Sequence, residues 1–296
     1  MNAMQAVVHQ ERDLHAFYQQ VSAYLMAHEL EHNMMLGLLH SWIQTAMPSL
    51  PVYMAYAETN GHISAVVMRI EGYRALCAAM TDAAGVEALV DHLYAQSPDM
   101  SGVVAQKAEA AVFARHWQAV SGREAHLNRA ERLFRLDKVE PTRPAQGQYR
   151  AAMRDDVQLL ADWILAFEME ADPSAKPDDR ERYIDAVTFR MNSPLKVRGL
   201  RVWEHNGQVV SMAGYAGPTP NSIRIGPVYT PPYERGHGYA TAVTATLTQE
   251  LLDMGFPCVT LYTDLANPTS NSIYQKIGYR PVCDVDEYLF RDSNHA

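Results

Sequence analysis

The 296-residue sequence predicts an α/β protein built as two domains. A chain of this length exceeds the usual size of one domain. Residues 141–147 contain two prolines, a glycine and polar side chains, which is the composition of a linker. On both sides of that segment, short apolar strands alternate with amphipathic helices. We therefore predict an N-terminal domain over residues 1–140, a linker over 141–147 and a C-terminal domain over 148–296.

The C-terminal domain begins with a weakly alternating segment, residues 148–153, that predicts a first strand. Asp155 or Asp156 can cap a helix through residues 159–167, and a second helix is predicted over residues 178–191. The elements that follow are a hairpin of 202–203 and 209–213 around Asn206-Gly207, a strand over 222–229, a helix over 240–254, a strand over 258–263, a short helix over 268–277 and a closing hairpin of 280–286 and 288–291.

A glycine-bearing turn within residues 229–240 joins the strand at 222–229 to the next helix. Gly236 and Gly238 let the backbone turn tightly and approach a ligand closely. The first amides of a helix have no partner within it, and together with the helix dipole they favour a phosphate. The spacing differs from the three-glycine dinucleotide pattern and from the nucleotide-triphosphate loop. This segment therefore predicts a phosphate cradle.

A second motif lies in the short helix about thirty residues further on. Asn267 is a good N-cap, Pro268 suits the first helical position and Gly278 suits the residue after the end. Asn271 and Tyr274 are three residues apart, so they share one face of this helix. The motif predicts a helix that presents an amide and a phenol side by side.

In this order and spacing, the two motifs resemble motifs A and B of the GNAT superfamily of acetyl-CoA-dependent N-acetyltransferases. The resemblance covers roughly residues 148–291. It implies a mixed, mostly antiparallel sheet flanked by helices, with acetyl-CoA as co-substrate, an amine as acceptor and no metal. The N-terminal half lacks both motifs but repeats the order of elements. The whole chain therefore resembles bacterial two-part acetyltransferases whose N-terminal domain is a degenerate copy, although a plain α+β substrate domain would fit the same segments.

The resemblance also assigns roles to residues. Contacts with acetyl-CoA are expected from Val228, Tyr229, Thr230, Arg235, Gly236, His237, Gly238, Tyr239, Ala240, Asn267 and Asn271. Tyr274 is the candidate general acid, because a phenol with a pKa of about 10 stays protonated at neutral pH. Glu168 and Glu170 are candidates for binding or deprotonating the amine, and Glu204 and Asp264 are further options. The strand before the cradle has no carboxylate, so the general base stays unassigned.

In the N-terminal half, a long helical segment is predicted over residues 11–45. A hairpin around Asn60-Gly61 follows, with strands at 53–57 and 62–68. The remaining predicted elements are helices over 85–96 and 108–120 and strands at 103–104 and 131–136. This order is that of a decayed copy of the C-terminal half.

Two other functions compete with the enzyme. A non-catalytic, regulatory acyl-CoA-binding module would keep the cradle, although it would not need Tyr274. His28, Glu29 and His32 match the His-Glu-x-x-His pattern, in which two histidines on a helix chelate zinc and the glutamate acts as general base. Five residues of such low specificity arise readily in a chain with 12 histidines, so a zinc hydrolase is the remoter alternative.

Composition limits the other functional classes to which the protein can belong. A formal charge of −9 argues against a nucleic-acid surface and favours a cationic or neutral acceptor. No apolar run is long enough for a membrane helix, and the N-terminus has no signal-peptide pattern. The three widely spaced cysteines predict free thiols in the cytoplasm. A homodimer through edge strands is compatible with the sequence, although no residue requires it.

Overall fold

The computed structural model describes residues 6–45, 52–77, 80, 82–171 and 180–292. Contacts divide the chain into two compact units. The first unit comprises Met1–Leu133, Thr263–Asn267 and Pro281–Ala296, and the second comprises Phe134–Tyr262 and Pro268–Arg280. By this division the last strand of the chain groups with the N-terminal half.

Both halves of the chain contain the same succession of elements: a strand, two helices, three strands, a helix, a strand, a helix and a strand. The N-terminal half contains β1 (Val7–Glu11), α1 (Leu14–Met26), α2 (Asn33–Thr45), β2 (Val52–Thr59), β3 (His62–Ile70), β4 (Ala75–Cys77), α3 (Ala83–Gln96), β5 (Gly102–Gln106), α4 (Lys107–Ser121) and β6 (Glu124–Leu136). The C-terminal half contains β7 (Gln148–Ala151), α5 (Val157–Ala171), α6 (Arg180–Asn192), β8 (Arg198–His205), β9 (Gln208–Ala216), β10 (Ser222–Tyr229), α7 (Tyr239–Asp253), β11 (Cys258–Asp264), α8 (Pro268–Ile277) and β12 (Arg280–Arg291). The repeated order confirms the predicted tandem arrangement.

In the first unit the strands lie in the order β1, β2, β3, β4, β5, β12 and β6. Helices cover both faces of this sheet. Side chains alternate along β2, so Met54 and Tyr56 join the core with α1 and α2, whereas Ala55 and Ala57 join the core with α3 and α4.

In the second unit β11, β10, β9, β8 and β7 follow one another, antiparallel except for the parallel pair of β10 and β11. Ile223 and Ile225 of β10 pack in the core that contains α7 and α8. Leu200 and Met212, on β8 and β9, pack in the core that contains α5 and α6. Two apolar faces on one sheet produce the layered α/β architecture that the sequence predicts.

The prediction of one long helix over residues 11–45 is wrong. The chain forms a strand up to Glu11 and then two helices, and residues 27–32 between them form turns. No glycine or proline marks this break. The imidazole Nδ1 of His32 lies 2.8 Å from the Leu25 carbonyl oxygen, and His32 is buried, so this contact and the burial of the ring stabilise the turn.

The predicted closing hairpin at the end of the chain is also wrong. β12 runs without interruption and pairs with β5, with Val285 opposite Gln106. Ion pairs and hydrogen bonds tie it to β6: the Arg132 guanidinium donates to both Asp284 carboxylate oxygens at 2.7 and 3.0 Å. A strand between two neighbours satisfies its backbone on both sides, which a terminal hairpin would not achieve.

Smaller differences between prediction and structure concern where the strands and helices begin and end. The first predicted strand ends at Ala151 rather than at residue 153, and residues 178–179 of the second predicted helix lie outside the described residues. Both Asn-Gly turns are present, since Asn60 and Asn206 have positive φ angles of 55° and 51°. Cys258 and Cys283 are free thiols.

Candidate active site

Strands β10 and β11 pair along only their first halves. Residues 222–225 of β10 face residues 258–261 of β11, and within the described residues the ladder ends there. On its other side β10 stays paired with β9, with a register shift just after this stretch. Two parallel strands that separate towards their carboxyl ends can admit an extended ligand between them. Residues 228–230, expected to bind that ligand, lie on the separated part of β10 and just beyond it.

Helix α7 begins at Tyr239 without a capping side chain. Its N-cap is Gly238, with a φ of +84°. The first bond within the helix joins the Ala242 amide to the Gly238 carbonyl at 3.0 Å, so the helical amides before Ala242 have no acceptor in the helix. Gly236 has a φ of +85°, and a Cβ there would meet nothing within 4 Å. The turn therefore needs two left-handed residues and ends at an uncapped positive helix end.

Arg235, expected to contact acetyl-CoA, is paired with a residue expected to contact the acceptor. Its Nη2 lies 2.8 and 2.9 Å from the two carboxylate oxygens of Glu170, and its Nε donates to the Thr230 carbonyl at 2.9 Å. The Tyr229 hydroxyl also donates to Glu170, at 3.3 Å. Because the Arg235 and Glu170 side chains are 49% and 50% exposed, their ion pair adds little stability. A phosphate can therefore compete for Arg235.

Burial raises the pKa of Tyr229, and the neighbouring Glu170 carboxylate raises it further. Its hydroxyl therefore stays protonated and acts as a donor. The ring itself is buried beside Trp163 of α5, with a centroid distance of 6.0 Å. Tyr229 thus links the end of β10 to α5 rather than standing exposed beside the cradle.

Three aromatic rings lie at or beside the cradle. His237 stacks on Tyr239 with a centroid distance of 5.5 Å and an interplanar angle of 20°. His237 Nδ1 also lies 3.2 Å from the Glu234 carbonyl oxygen. The ring of His205, at the end of β8, lies 5.8 Å from that of Tyr239. Stacking stabilises the conformation of the turn between Gly236 and Gly238.

The side chain of Tyr274 is buried, in the same core as Tyr239 and Val243 of α7. Burial raises the pKa of its phenol to about 12. Its ring packs edge-on against Tyr279 at 6.0 Å. The described residues make no hydrogen bond to the Tyr274 hydroxyl, whereas the Tyr279 hydroxyl bonds to Thr248 Oγ1 at 2.8 Å. Of the two phenols, Tyr274 keeps its proton available to another acceptor.

The asparagines of the second motif lie in different units. Asn267 precedes α8, is exposed, and belongs with the first unit, and its amide donates to the Asp264 carbonyl at 3.0 Å. Asn271 lies in α8, half-buried, in the second unit. Asn271 and Tyr274 share the helix that the sequence predicted for them.

The other carboxylates considered for proton transfer are engaged in structural bonds. Glu168 accepts a hydrogen bond from the Tyr183 hydroxyl. Glu204 binds Arg150 Nε at 2.7 Å, and hydrogen bonds from Arg150 and Gln148 lower its pKa. Asp264 accepts from the Ala266 amide at 2.7 Å. None of these geometries assigns a general base.

A charged network that the sequence analysis missed anchors the C-terminal half of α7 to the sheet. Glu250 of α7 binds the Arg201 guanidinium, with Nε–Oε2 at 2.9 Å, and accepts from the Tyr149 hydroxyl. Arg201 is buried on β8, and its guanidinium lies 5.4 Å from the centroid of the Tyr215 ring. Burial raises the pKa of Glu250, but hydrogen bonds from Arg201 and Tyr149 outweigh it, so the pKa is lowered. The carboxylate stays ionised and ties α7 to the sheet.

A signal for this network was present in the sequence. Val243, Leu247, Glu250 and Met254 follow one another at intervals of four, three and four residues, so Glu250 falls on the apolar stripe of α7. A carboxylate on a buried helix face needs a cationic partner.

The histidine pair of the alternative zinc site lies in turns. His28 is exposed, whereas His32 is buried and its Nδ1 contacts the Leu25 carbonyl. Burial lowers the pKa of His32. The rings lie 6.1 Å apart at 71° to each other. The helix that would place both imidazoles on one face is therefore missing. In the described ranges no group of three or more histidine, cysteine, aspartate or glutamate side chains is placed to hold a metal ion.

Comparisons with known proteins agree with the motifs. The model of the acetyltransferase (GNAT) family matches residues 158–279, which extend from α5 to just beyond α8. No curated protein sequence gives a significant match. Among the described residues, no helix is long and apolar enough to cross a membrane.

Solved structures resemble the chain, two of them over nearly its whole length. A tandem GNAT protein from the clavulanic acid biosynthesis pathway is 13% identical with a TM-score of 0.63, and the match covers 96% of this chain and 98% of that one. A Drosophila protein is 12% identical with a TM-score of 0.66 over 97% and 99% of the two chains. A GCN5-related N-acetyltransferase from Kribbella flavida is 16% identical with a TM-score of 0.57 over 78% and 88%. At these identities the similarity concerns the fold.

Proposed function

We propose that the GNAT-family domain formed by residues 158–279 moves an acetyl group from acetyl-CoA to a primary amine of a small molecule or peptide. The observation that carries the proposal is the uncapped start of α7, where left-handed Gly238 is followed by helical amides without an acceptor in the helix. Such a helix end binds a pyrophosphate through N–H donors and the helix dipole. The donors would come from residues 236–240.

Arg235 supplies the charge beside this cradle. Its partner Glu170 is half exposed, so solvent screens the pair. Phosphate oxygens are strong acceptors for a guanidinium group. Binding of acetyl-CoA would therefore release Glu170 from Arg235, close to the bound substrate, where a carboxylate can hold an incoming ammonium group.

The pantetheine arm would lie where β10 and β11 separate. Backbone amides of residues 228–230 are candidates to hold the arm and polarise the thioester carbonyl, and Asn271 is a candidate for a contact from α8. Donors aimed at the carbonyl oxygen stabilise the oxyanion of the tetrahedral intermediate. The ladder between β10 and β11 ends before residues 228–230, which supports this placement.

Acetyl transfer requires one bond to form and one to break. The deprotonated amine nitrogen attacks the thioester carbon, the nitrogen–carbon bond forms and the carbon–sulfur bond breaks. Tyr274 would give its proton to the leaving thiolate, since its pKa of about 12 keeps it protonated and the described residues leave its hydroxyl without a hydrogen bond. The proton that the nitrogen loses as the amide forms passes through water or a carboxylate such as Glu170 and restores the Tyr274 phenol.

Titration calorimetry of acetyl-CoA into wild-type protein and Gly238→Glu tests the proposal. Glutamate at this position adds a side chain at a φ of +84° and a negative charge at the cradle. Gly122→Glu is the matched control, because Gly122 also has a positive φ, of 70°, and lies at the end of α4 in the first unit. We expect micromolar binding by the wild type and the control and loss in Gly238→Glu.

The second part of the test is release of CoA in the presence of candidate amines. Binding together with amine-dependent CoA release supports the acetyltransferase. Binding without release for any class of amine would favour the regulatory acyl-CoA module. Absence of acetyl-CoA binding by the wild type would contradict both functions.

A further inference from the structure

The segment that the sequence predicts as a linker packs against the second unit. Residues 138–147, which we call the strap, lie wholly in that unit. Near the start of the strap, the Glu140 amide donates to the Ile277 carbonyl oxygen at 2.8 Å, and a Cβ on Gly278 would lie 3.0 Å from Glu140 Cγ. Val139 is partly buried against the core that contains α7 and α8. The strap is therefore anchored beside the end of α8.

The other end of the strap is fixed to strand β8. The Gln146 carbonyl oxygen accepts a hydrogen bond from Trp203 Nε1 at 2.8 Å. Gly147, with a φ of +121°, packs so closely that a Cβ there would lie 2.4 Å from the Glu204 carbonyl oxygen and 2.5 Å from Trp203 Nε1. Strand β7 begins directly afterwards, at Gln148. Both ends are thus held by contacts, which restricts the path of the residues between them.

Between its two ends the strap passes beside the phosphate cradle. Ala145 Cβ lies 3.9 Å from the position that a Cβ on Gly238, the N-cap of α7, would take. Ala145 is partly buried and packs against the core that contains Tyr239, the first residue of that helix. A phosphate group held by the first amides of α7 would therefore lie close to the strap.

Arg143 lies on the strap, two residues before Ala145. Residues 141–145 form no helix, strand or turn, and Pro144 favours an extended conformation for the residue before it. Residues two apart in extended backbone point to the same side, so the Arg143 side chain shares the side on which Ala145 faces Gly238. Two extended residues span about 7 Å, a distance that an arginine side chain can cover. The guanidinium can therefore reach an anion at the cradle.

The Arg143 side chain is available to a ligand. It is exposed, and within the described residues its guanidinium makes no hydrogen bond or ion pair. Arg235, the other arginine near the cradle, is held by Glu170. Pro141 and Pro144 have fixed φ angles, so the backbone around Arg143 has less conformational freedom to lose when a ligand binds.

We propose that Arg143 binds a phosphate group of the acetyl-CoA held at the cradle, so that the strap forms one side of the cofactor site. This inference rests on the proposed function. A planar guanidinium offers parallel N–H donors to two phosphate oxygens. Arg235 must first leave Glu170 to make such a contact, whereas Arg143 needs no exchange. In a chain with a formal charge of −9, an exposed cation at this place also favours the approach of a polyanionic cofactor.

Titration calorimetry of acetyl-CoA into the full chain tests the inference. Arg143→Gln should bind about five- to tenfold more weakly than the wild type, and added salt should weaken its binding less, because one charge contact is gone. Arg143→Lys keeps the charge and should retain most of the affinity. Arg154→Gln is the matched control and should bind like the wild type, because Arg154 is an exposed arginine of the same unit beyond the other end of β7.

The same titration with 3′-dephospho-acetyl-CoA distinguishes the phosphate groups. If Arg143→Gln weakens the binding of acetyl-CoA but not that of the analogue, Arg143 contacts the 3′-phosphate, and equal weakening places it on the diphosphate. Unchanged acetyl-CoA affinity in Arg143→Gln, or an equal loss in Arg154→Gln, overturns the inference and leaves the cradle in place. Absence of binding by the wild type would contradict the proposed function, and this inference with it.

Discussion

Helices α3 and α7 occupy the same place in the two halves of the chain, and they begin differently. Each follows a strand that pairs in parallel with the next one, β4 with β5 and β10 with β11. Before α7, Gly238 provides no side chain. Before α3, Asp82 caps the helix, and its Oδ1 accepts from the Ala84 amide at 3.3 Å. The N-terminus of α3 is already occupied by a carboxylate, and the N-terminus of α7 is not.

The difference shows how the same helix N-terminus in a fold can be open to an anionic ligand or closed to it. A carboxylate at a helix N-terminus satisfies a free amide and takes advantage of the dipole, which stabilises the helix. The same charge repels a phosphate. If the C-terminal copy binds acetyl-CoA as proposed, Asp82 gives a physical reason why the N-terminal copy would serve only as support.

The largest expected effect comes from giving the N-terminus of α7 the carboxylate that the N-terminus of α3 already has. Gly238→Asp should weaken acetyl-CoA binding by about 100- to 1000-fold, because a like charge beside the pyrophosphate costs several kcal/mol. Gly238→Asn is the control, since asparagine has the same shape and tolerates a left-handed φ. Calorimetry should show a much smaller loss for asparagine. Equal losses would mean that backbone strain, not charge, disables the cradle.

Loss of the buried phenol is expected to affect turnover. Tyr274→Phe should lower kcat by about 100-fold and leave the Kd for acetyl-CoA unchanged, because the hydroxyl acts on the leaving thiolate. With a pKa of about 12, Tyr274 should contribute no alkaline decline in rate at neutral pH. Tyr279→Phe is the control: it removes the bond to Thr248 and should cost stability but not turnover. Unchanged kcat in Tyr274→Phe would remove the general-acid role.

The two helices are also anchored differently. Helix α7 is tied to the sheet by the Arg201–Glu250 ion pair, whereas Gly85 of α3 packs so closely that a Cβ would lie 2.2 Å from Ser64 Oγ. Glu250→Ala should lower the free energy of unfolding by about 2 kcal/mol, because Arg201 is left buried without its partner. Urea denaturation measures this. The exposed Glu87→Ala on α3 should change stability by less than about 0.5 kcal/mol.

The same network predicts a dependence on pH. The folded-state pKa of Glu250 is lowered, so its contribution to stability is present at neutral pH and lost as the pH falls through that pKa. Glu250→Ala should therefore flatten the acid side of the stability profile. A profile that falls as steeply in the variant as in the wild type would assign acid lability to other groups.

The smallest effect is expected at the N-terminal helix. Asp82→Ala removes a cap and should destabilise the protein by about 1 kcal/mol without changing acetyl-CoA affinity. Asp82→Asn keeps an acceptor oxygen and should be nearly neutral. If Asp82→Ala gained a second acetyl-CoA site in calorimetry, the N-terminal half would be a masked cofactor domain rather than a supporting one.

Local signals predicted most elements of the second unit. Asn206-Gly207 adopts the positive φ angles that a short hairpin needs, and Gly238 adopts the left-handed conformation at the cradle. The break at residues 27–32 and the short strand β4 carried no such signal. Their conformations depend on contacts such as that between His32 and Leu25, which neighbouring residues do not reveal.

The sequence by itself determined the order of strands and helices from β7 to α8, the glycine turn before α7 and the pairing of Asn271 and Tyr274 on one helix, because turn chemistry and helical periodicity act over a few residues. Only the tertiary structure decided that Arg235 pairs with Glu170 and that β12 pairs with β5. The packing of Ala145 near Gly238, likewise, placed the strap beside the cradle. Such contacts join residues far apart in the chain, and many partners of suitable charge or shape compete for each, so local sequence does not select among them.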